Sequence, residues 1–195
     1  YNKWCGFVID GGVHRLGVLT LADAPLDAFS DAAVALPGAD MGIAEWGDYD
    51  NDGDTDLFVS NWGDHSLYQS DGAGHFKDVA QAAGLTKLDV KLTPWGVCSA
   101  WGDVNLDGHL DLFVGHYLGF DPKNPPHGGE TVHWKGMRDA YYGPSGLDVQ
   151  RDFLFRNNGD GTFRDGSKEA GLLDVEAGYT LGAIFLDYNL DGNPD

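Results

Sequence analysis

The sequence predicts an all-β fold, a β-propeller assembled from four-stranded antiparallel blades. Three observations predict it. A nine-residue acidic loop occurs three times, at 48–56, 103–111 and 187–195, with Asp or Asn at positions 1, 3, 5 and 9 and Gly at position 6. The first two loops run directly into Leu57-Phe58-Val59 and Leu112-Phe113-Val114, apolar runs with strand character. Two further segments, 67–76 and 154–163, match each other around Asp-Gly and Asn-Gly pairs, which are hairpin signals, and both continue to Ala-Gly-Leu.

Joined in order, these pieces give one repeat: strand, acidic loop, strand, connection, strand, Gly hairpin, strand. Asp48 and Asp103 are 55 positions apart. A unit of that length with four strands is a propeller blade or another repeat array. One such sheet cannot bury both faces alone, so neighbours must stack. The expected blades span about 29–85 and 86–172, with partial blades at 1–28 and 173–195. Trp46 and Trp101 each stand two residues before a loop, where blade-packing aromatics are expected. In the N-terminal part, Phe7-Val8-Ile9 and 16–21 read as short strands around Gly11-Gly12. The chain opens on Tyr and stops on the last residue of a loop motif, so it reads as a fragment of three to four blades.

The loops carry the chemistry. A hard cation such as Ca²⁺ takes six to eight oxygens, and alternate side chains of a tight loop converge on one point. Gly at position 6 allows the sharp turn. The first loop supplies Asp48, Asp50, Asp52 and Asp56, with the position-7 carbonyl of Asp54; the second supplies Asp103, Asn105, Asp107 and Asp111, with His109 at position 7. The third supplies Asp187, Asn189, Asp191 and Asp195, with Asn193 at position 7. Up to three Ca²⁺ are therefore expected. The first loop should hold its ion most tightly, because it has four carboxylates where the others have three and an Asn.

Bulk numbers agree. The 195 residues contain 31 acids against 12 bases, a net charge of −19. Such a balance argues against nucleic acid, which needs a basic footprint. Three bound Ca²⁺ would bring −19 to −13, so metal should relieve self-repulsion. No apolar run is long enough for a membrane span. Of Cys5 and Cys98, the second lies in an apolar run and is expected as a buried free thiol.

The two hairpin phenylalanines, Phe76 and Phe163, are 87 positions apart, against 55 for the loops. The excess places an insertion at about 117–150. It is rich in Pro and Gly and brings Trp134, Lys135, Arg138, Tyr141 and Tyr142. Long irregular loops in compact domains are usually functional, so this segment either covers a blade edge or docks a protein partner. Trp62 and Tyr117 occupy equivalent positions after the second strand of each repeat, where they could stack on sugar rings. His116, His127 and His133 offer a looser transition-metal alternative. No Gly-x-Ser-x-Gly, His-Glu-x-x-His, Cys-x-x-Cys or phosphate-cradling loop is present, so the chain is not expected to be an enzyme.

The run from Gly47 to Leu57, followed by Leu67-Tyr68 and Gly74-His75-Phe76, resembles the FG-GAP/VCBS repeats of integrin α-like heads. That resemblance implies a propeller, commonly seven-bladed, with Ca²⁺ in the hairpin loops. It also implies an extracellular, cell-surface or periplasmic setting and an adhesion or protein-interaction role. Tyr142-Gly143-Pro144 with 152–163 further resembles secreted repeat proteins of the cartilage acidic protein type, which often carry an ASPIC/UnbV domain; such members often have Cys where Tyr142 stands. A carbohydrate-binding propeller, or the non-catalytic part of a polysaccharide-active enzyme, is the alternative.

Overall fold

The computed structural model describes residues 43–119, 144 and 147–195 with their side chains, and further short strands as backbone alone. The backbone-only elements near the N-terminus are β1 (Lys3–Asp10), β2 (Val13–Thr20) and β3 (Val34–Ala35), which form one antiparallel sheet in that order. The two strands expected around Gly11-Gly12 are thus a hairpin, with Asp10 opposite Val13.

The first four-stranded sheet comprises β4 (Ala44–Gly47), β5 (Asp56–Val59), β6 (Ser66–Ser70) and β7 (Phe76–Asp78), each antiparallel to the next. One helical turn, α1 (Ala80–Ala83), follows and ends on Gly84 at φ 83°. The second sheet begins with β8 (Pro94–Gly102) and β9 (Asp111–Gly119). Then come β10 (Thr131–Trp134) and β11 (Met137–Tyr141), a separate two-stranded hairpin. The sheet is completed by β12 (Phe153–Asn157) and β13 (Phe163–Asp165), in the order β13-β12-β9-β8. The insertion, expected as irregular, thus contains paired strands. It leaves β9 at the end remote from the acidic loop, because the strand runs away from that loop for its full length.

The two sheets use one register. Trp46 faces Leu57 and Gly47 faces Asp56 in the first; Trp101 faces Leu112 and Gly102 faces Asp111 in the second. Each acidic loop therefore closes the same hairpin of its sheet. Alternating apolar side chains of each strand turn to one side. Phe58 and Leu67 meet Leu112, Val114, Phe153, Phe155 and Phe163 in one core, joined by Tyr49 and Leu85. Burying side chains of this size contributes about 1.5–3 kcal/mol each. The ring of Tyr49 stacks on Phe163 at 5.8 Å, and Trp101 meets Phe58 edge-on at 6.1 Å. Trp101 is thus the packing aromatic that its position suggests, while Trp46 packs against the second cluster, Leu57, Val59 and Tyr68, on the opposite face of the first sheet.

The described architecture is all-β, with two four-stranded antiparallel sheets packed face to face, and it shows no closed ring of sheets. Cys98 is a buried free thiol. No helix among the described residues is long and apolar enough to cross a membrane.

Candidate metal centre

The three acidic loops repeat one backbone conformation. Position 4 is left-handed in each, at Asn51 (φ 59°), Leu106 (φ 60°) and Leu190 (φ 61°). Position 6 is left-handed too, at Gly53, Gly108 and Gly192, with φ between 88° and 93°. Glycine alone takes that second turn without steric cost. The position-4 turn was not foreseen; its occupants include two leucines, which rarely adopt this geometry.

Carboxylates organise the turn. The Asp48 oxygens accept the N–H groups of Asp52 and Gly53, both at 3.1 Å. Asp103 accepts those of Asp107 and Gly108 at 3.0 and 2.8 Å. Asp187 accepts those of Asp191 and Gly192 at 3.0 and 2.8 Å. Position 5 likewise accepts the N–H of position 7 at 2.8–2.9 Å, in Asp52, Asp107 and Asp191. Position 9 reaches back to the N–H of position 2 at 3.2 Å, from Asp56, Asp111 and Asp195. Even the last loop, after which the chain stops, has this network, and Leu186 and Asp195 exchange backbone hydrogen bonds across it.

Asp48, Asp50 and Asp56 bring one oxygen each within 4.8 Å of one another. Asp56 is fully buried, and its oxygens accept the N–H groups of Ser70 at 2.8 Å and Tyr49 at 3.2 Å. Burial pushes its carboxyl up to about 6 despite those donors, and Asp50 and Asp52 add to the rise. The Tyr49 phenol is pushed up to about 12, by burial first and then by Asp50, Asp56 and Asp52. Converging all-oxygen donors beside a buried carboxylate suit a hard divalent cation. Asp54 turns its side chain to the Gly72 hairpin, leaving its carbonyl as the group it could offer.

Neighbouring loops touch. The Asn51 amide donates to the Gly108 carbonyl at 2.9 Å and lies 3.1 Å from His109 Nδ1. A cleft of about 470 Å³ beside them is lined by Tyr49, Asp50, Asp52, Gln69, Asp160 and Thr162 among others.

The aromatic pair expected to meet sugar is half-buried. Trp62 forms a backbone bridge with Trp95, whose ring meets Tyr117 edge-on at 5.9 Å; Tyr117 in turn meets Tyr179 at 6.0 Å. Of the insertion residues, Trp134, Arg138 and Tyr141 stand on β10 and β11, while Lys135 and Tyr142 lie outside the described residues.

His65 and Arg156 escaped the sequence reading. His116, offered with His127 and His133 as a looser transition-metal set, sits in β9, fully buried, with its ring 5.5 Å from that of His65; His133 stands on β10 and His127 lies outside the described residues. Nε2 of His65 and both ring nitrogens of His116 have no hydrogen-bond partner among the described residues. Burial lowers His65 to about 3, helped by His116, and lowers His116 to about 4. Both imidazoles are therefore neutral components of the core. The other missed group is Arg156, whose guanidinium lies 2.6 Å from Asp111.

Comparison with known protein families finds one similarity: the model for an FG-GAP-like repeat matches residues 48–114, from the first acidic loop through β5 to β8 and the second loop into β9. No curated protein matches the chain significantly.

Proposed function

We propose that the chain is a Ca²⁺-binding, extracytoplasmic propeller module that presents a surface to a protein partner and performs no catalysis itself. The convergence of Asp48, Asp50 and Asp56 around one point carries this reading. The FG-GAP-like repeat and the threefold loop conformation support it. The four-stranded sheets would be blades of one ring, with boundaries at about 29–85 and 86–172. The ions would bind between loop oxygens and hold the hairpins that carry them. The segment 117–150 would dock the partner, since loops on a rigid scaffold carry recognition and its Trp, Tyr and Arg residues are hot-spot types.

Calorimetric titration of CaCl₂ into chelator-stripped protein tests the metal. Binding should be detected and should raise the melting temperature, and Asp48→Ala should remove the tightest event. The absence of both binding heat and a thermal shift would overturn the reading. A carbohydrate ligand is the second reading, favoured by the aromatic row Trp95–Tyr117–Tyr179. Quenching of tryptophan fluorescence by oligosaccharides, abolished in Tyr117→Ala, would support it.

A further inference from the structure

The two fully described blades treat the same buried carboxylate differently. Asp56 and Asp111 both stand at position 9 of their loops and are both inaccessible to solvent. Both accept the N–H of position 2 and a second N–H from the neighbouring strand, Ser70 for Asp56 and Asn157 for Asp111. Beyond this point they part. Segments 67–76 and 154–163 align residue for residue, so Gln69 in β6 is the counterpart of Arg156 in β12. Arg156 Nη1 lies 2.6 Å from Asp111 Oδ2, with its side chain largely shielded. Gln69, which is neutral, donates instead to Asp50 Oδ2 at 2.6 Å.

A buried carboxylate needs a positive charge close by. In the second blade the chain provides one covalently. In the first, none of the ion pairs among the described residues involves Asp56, and that is where three carboxylates converge. An Arg guanidinium is always charged and strongly directional, so it competes with a cation for the carboxylate oxygen it holds.

We infer that Arg156 is a tethered counter-charge that makes the 103–111 loop independent of metal, whereas Gln69 leaves the 48–56 loop in need of a divalent cation. The inference rests on the Ca²⁺ reading above and refines it: the loops are not equivalent sites. One blade is closed by its own sequence and its neighbour by an ion.

Two single-loop proteins provide the test. Asp103→Ala with Asp187→Ala leaves the first loop intact, and Asp48→Ala with Asp187→Ala leaves the second. CaCl₂ calorimetry and melting with and without chelator are read on each. The first loop should bind, and Gln69→Arg should weaken that binding by at least about tenfold, since it places a fixed positive charge beside the ion. It should also shrink the chelator-dependent fall in melting temperature. The second loop should bind at least about tenfold more weakly than the first, and Arg156→Gln should tighten it. Gln69→Arg removes no existing charge pair, so that arm decides alone if Arg156→Gln fails to fold. Unchanged affinity in Gln69→Arg, or equal affinity of the two single-loop proteins, overturns the inference and leaves the Ca²⁺ reading standing. Failure of the unsubstituted chain to bind Ca²⁺ at all overturns both.

Discussion

The side-chain amide of Asn157 donates to the carbonyl oxygen of Tyr49 at 2.8 Å, joining the second sheet to the acidic loop of the first. The same amide donates to Leu110 at 3.0 Å, and Asn157 Oδ1 accepts the N–H of Gly159. One buried side chain therefore ties together two acidic loops and a hairpin. Asn157→Ala leaves two carbonyls without this donor while keeping the backbone bond to Asp111. Leaving a buried polar group unsatisfied costs about 1–3 kcal/mol. Chemical denaturation should show a loss of that size, and a loss below about 0.5 kcal/mol would mean that water replaces the amide freely.

Gly47 makes a tighter interface still. A Cβ there would stand 2.9 Å from Trp101 Cδ1 and 3.0 Å from its Nε1. The demand is steric, since the Trp101 ring lies flush on this backbone and its Nε1 points to the Glu45 carbonyl at 3.5 Å. Gly47→Ala should destabilise by about 1–3 kcal/mol through overpacking. Combined with Trp101→Phe, the two costs should not add, because the smaller ring makes room for the methyl. Strict additivity in a double-mutant cycle would refute the contact as the cause.

The acidic loops were legible because their information is local: spacing fixes which side chains converge, and Gly at position 6 marks the turn. Strands and hairpins were legible for the same reason, through Leu57-Phe58-Val59 and the matched segments around Gly72 and Gly159. What stayed hidden depends on pairing between distant strands. Arg156 became a partner of Asp111 only once β12 was known to lie beside β9. His65 and His116 are separated by 51 positions, and nothing in either sequence neighbourhood announces that their rings meet. The left-handed turns at Leu106 and Leu190 were hidden by residue type, since leucine gives no signal for them.

The buried imidazoles set a pH dependence. His65 and His116 both titrate lower in the fold than the ordinary 6.5, at about 3 and about 4. Groups with depressed histidine values bind fewer protons folded than unfolded, so their contribution is intact above pH 6.5 and is lost as pH falls from there toward 4. At His116 burial outweighs Arg151, which acts in both senses, and Asp152 accepts the His116 backbone N–H. Between pH 6.5 and 5 the two rings should together remove about 2–4 kcal/mol. Asp56, held up at about 6, works in the opposite sense, so the comparison must be with His116→Phe, in which Asp56 is unchanged. The variant should lose stability less steeply below pH 6.5 than the parent. Parallel profiles would show that His116 takes up its proton alike in the folded and unfolded states.

The residue at position 3 separates metal binding from metal-free stability. Asp50 stands in the first loop where Asn105 and Asn189 stand in the other two, and all three accept the N–H of position 5. Asp50→Asn therefore keeps a conformation the chain already uses twice. Without metal, the substitution removes one of the like charges around Asp56, and surface-type relief of this kind is worth about 0.3–1 kcal/mol. With metal, it removes a charged ligand, which weakens Ca²⁺. The same variant should thus melt at or slightly above the parent in chelator and clearly below it in saturating Ca²⁺. If Asp50→Asn lowers the melting temperature equally in both conditions, the carboxylate is structural through its bond to Gln69, and the first loop owes nothing to a cation at that position.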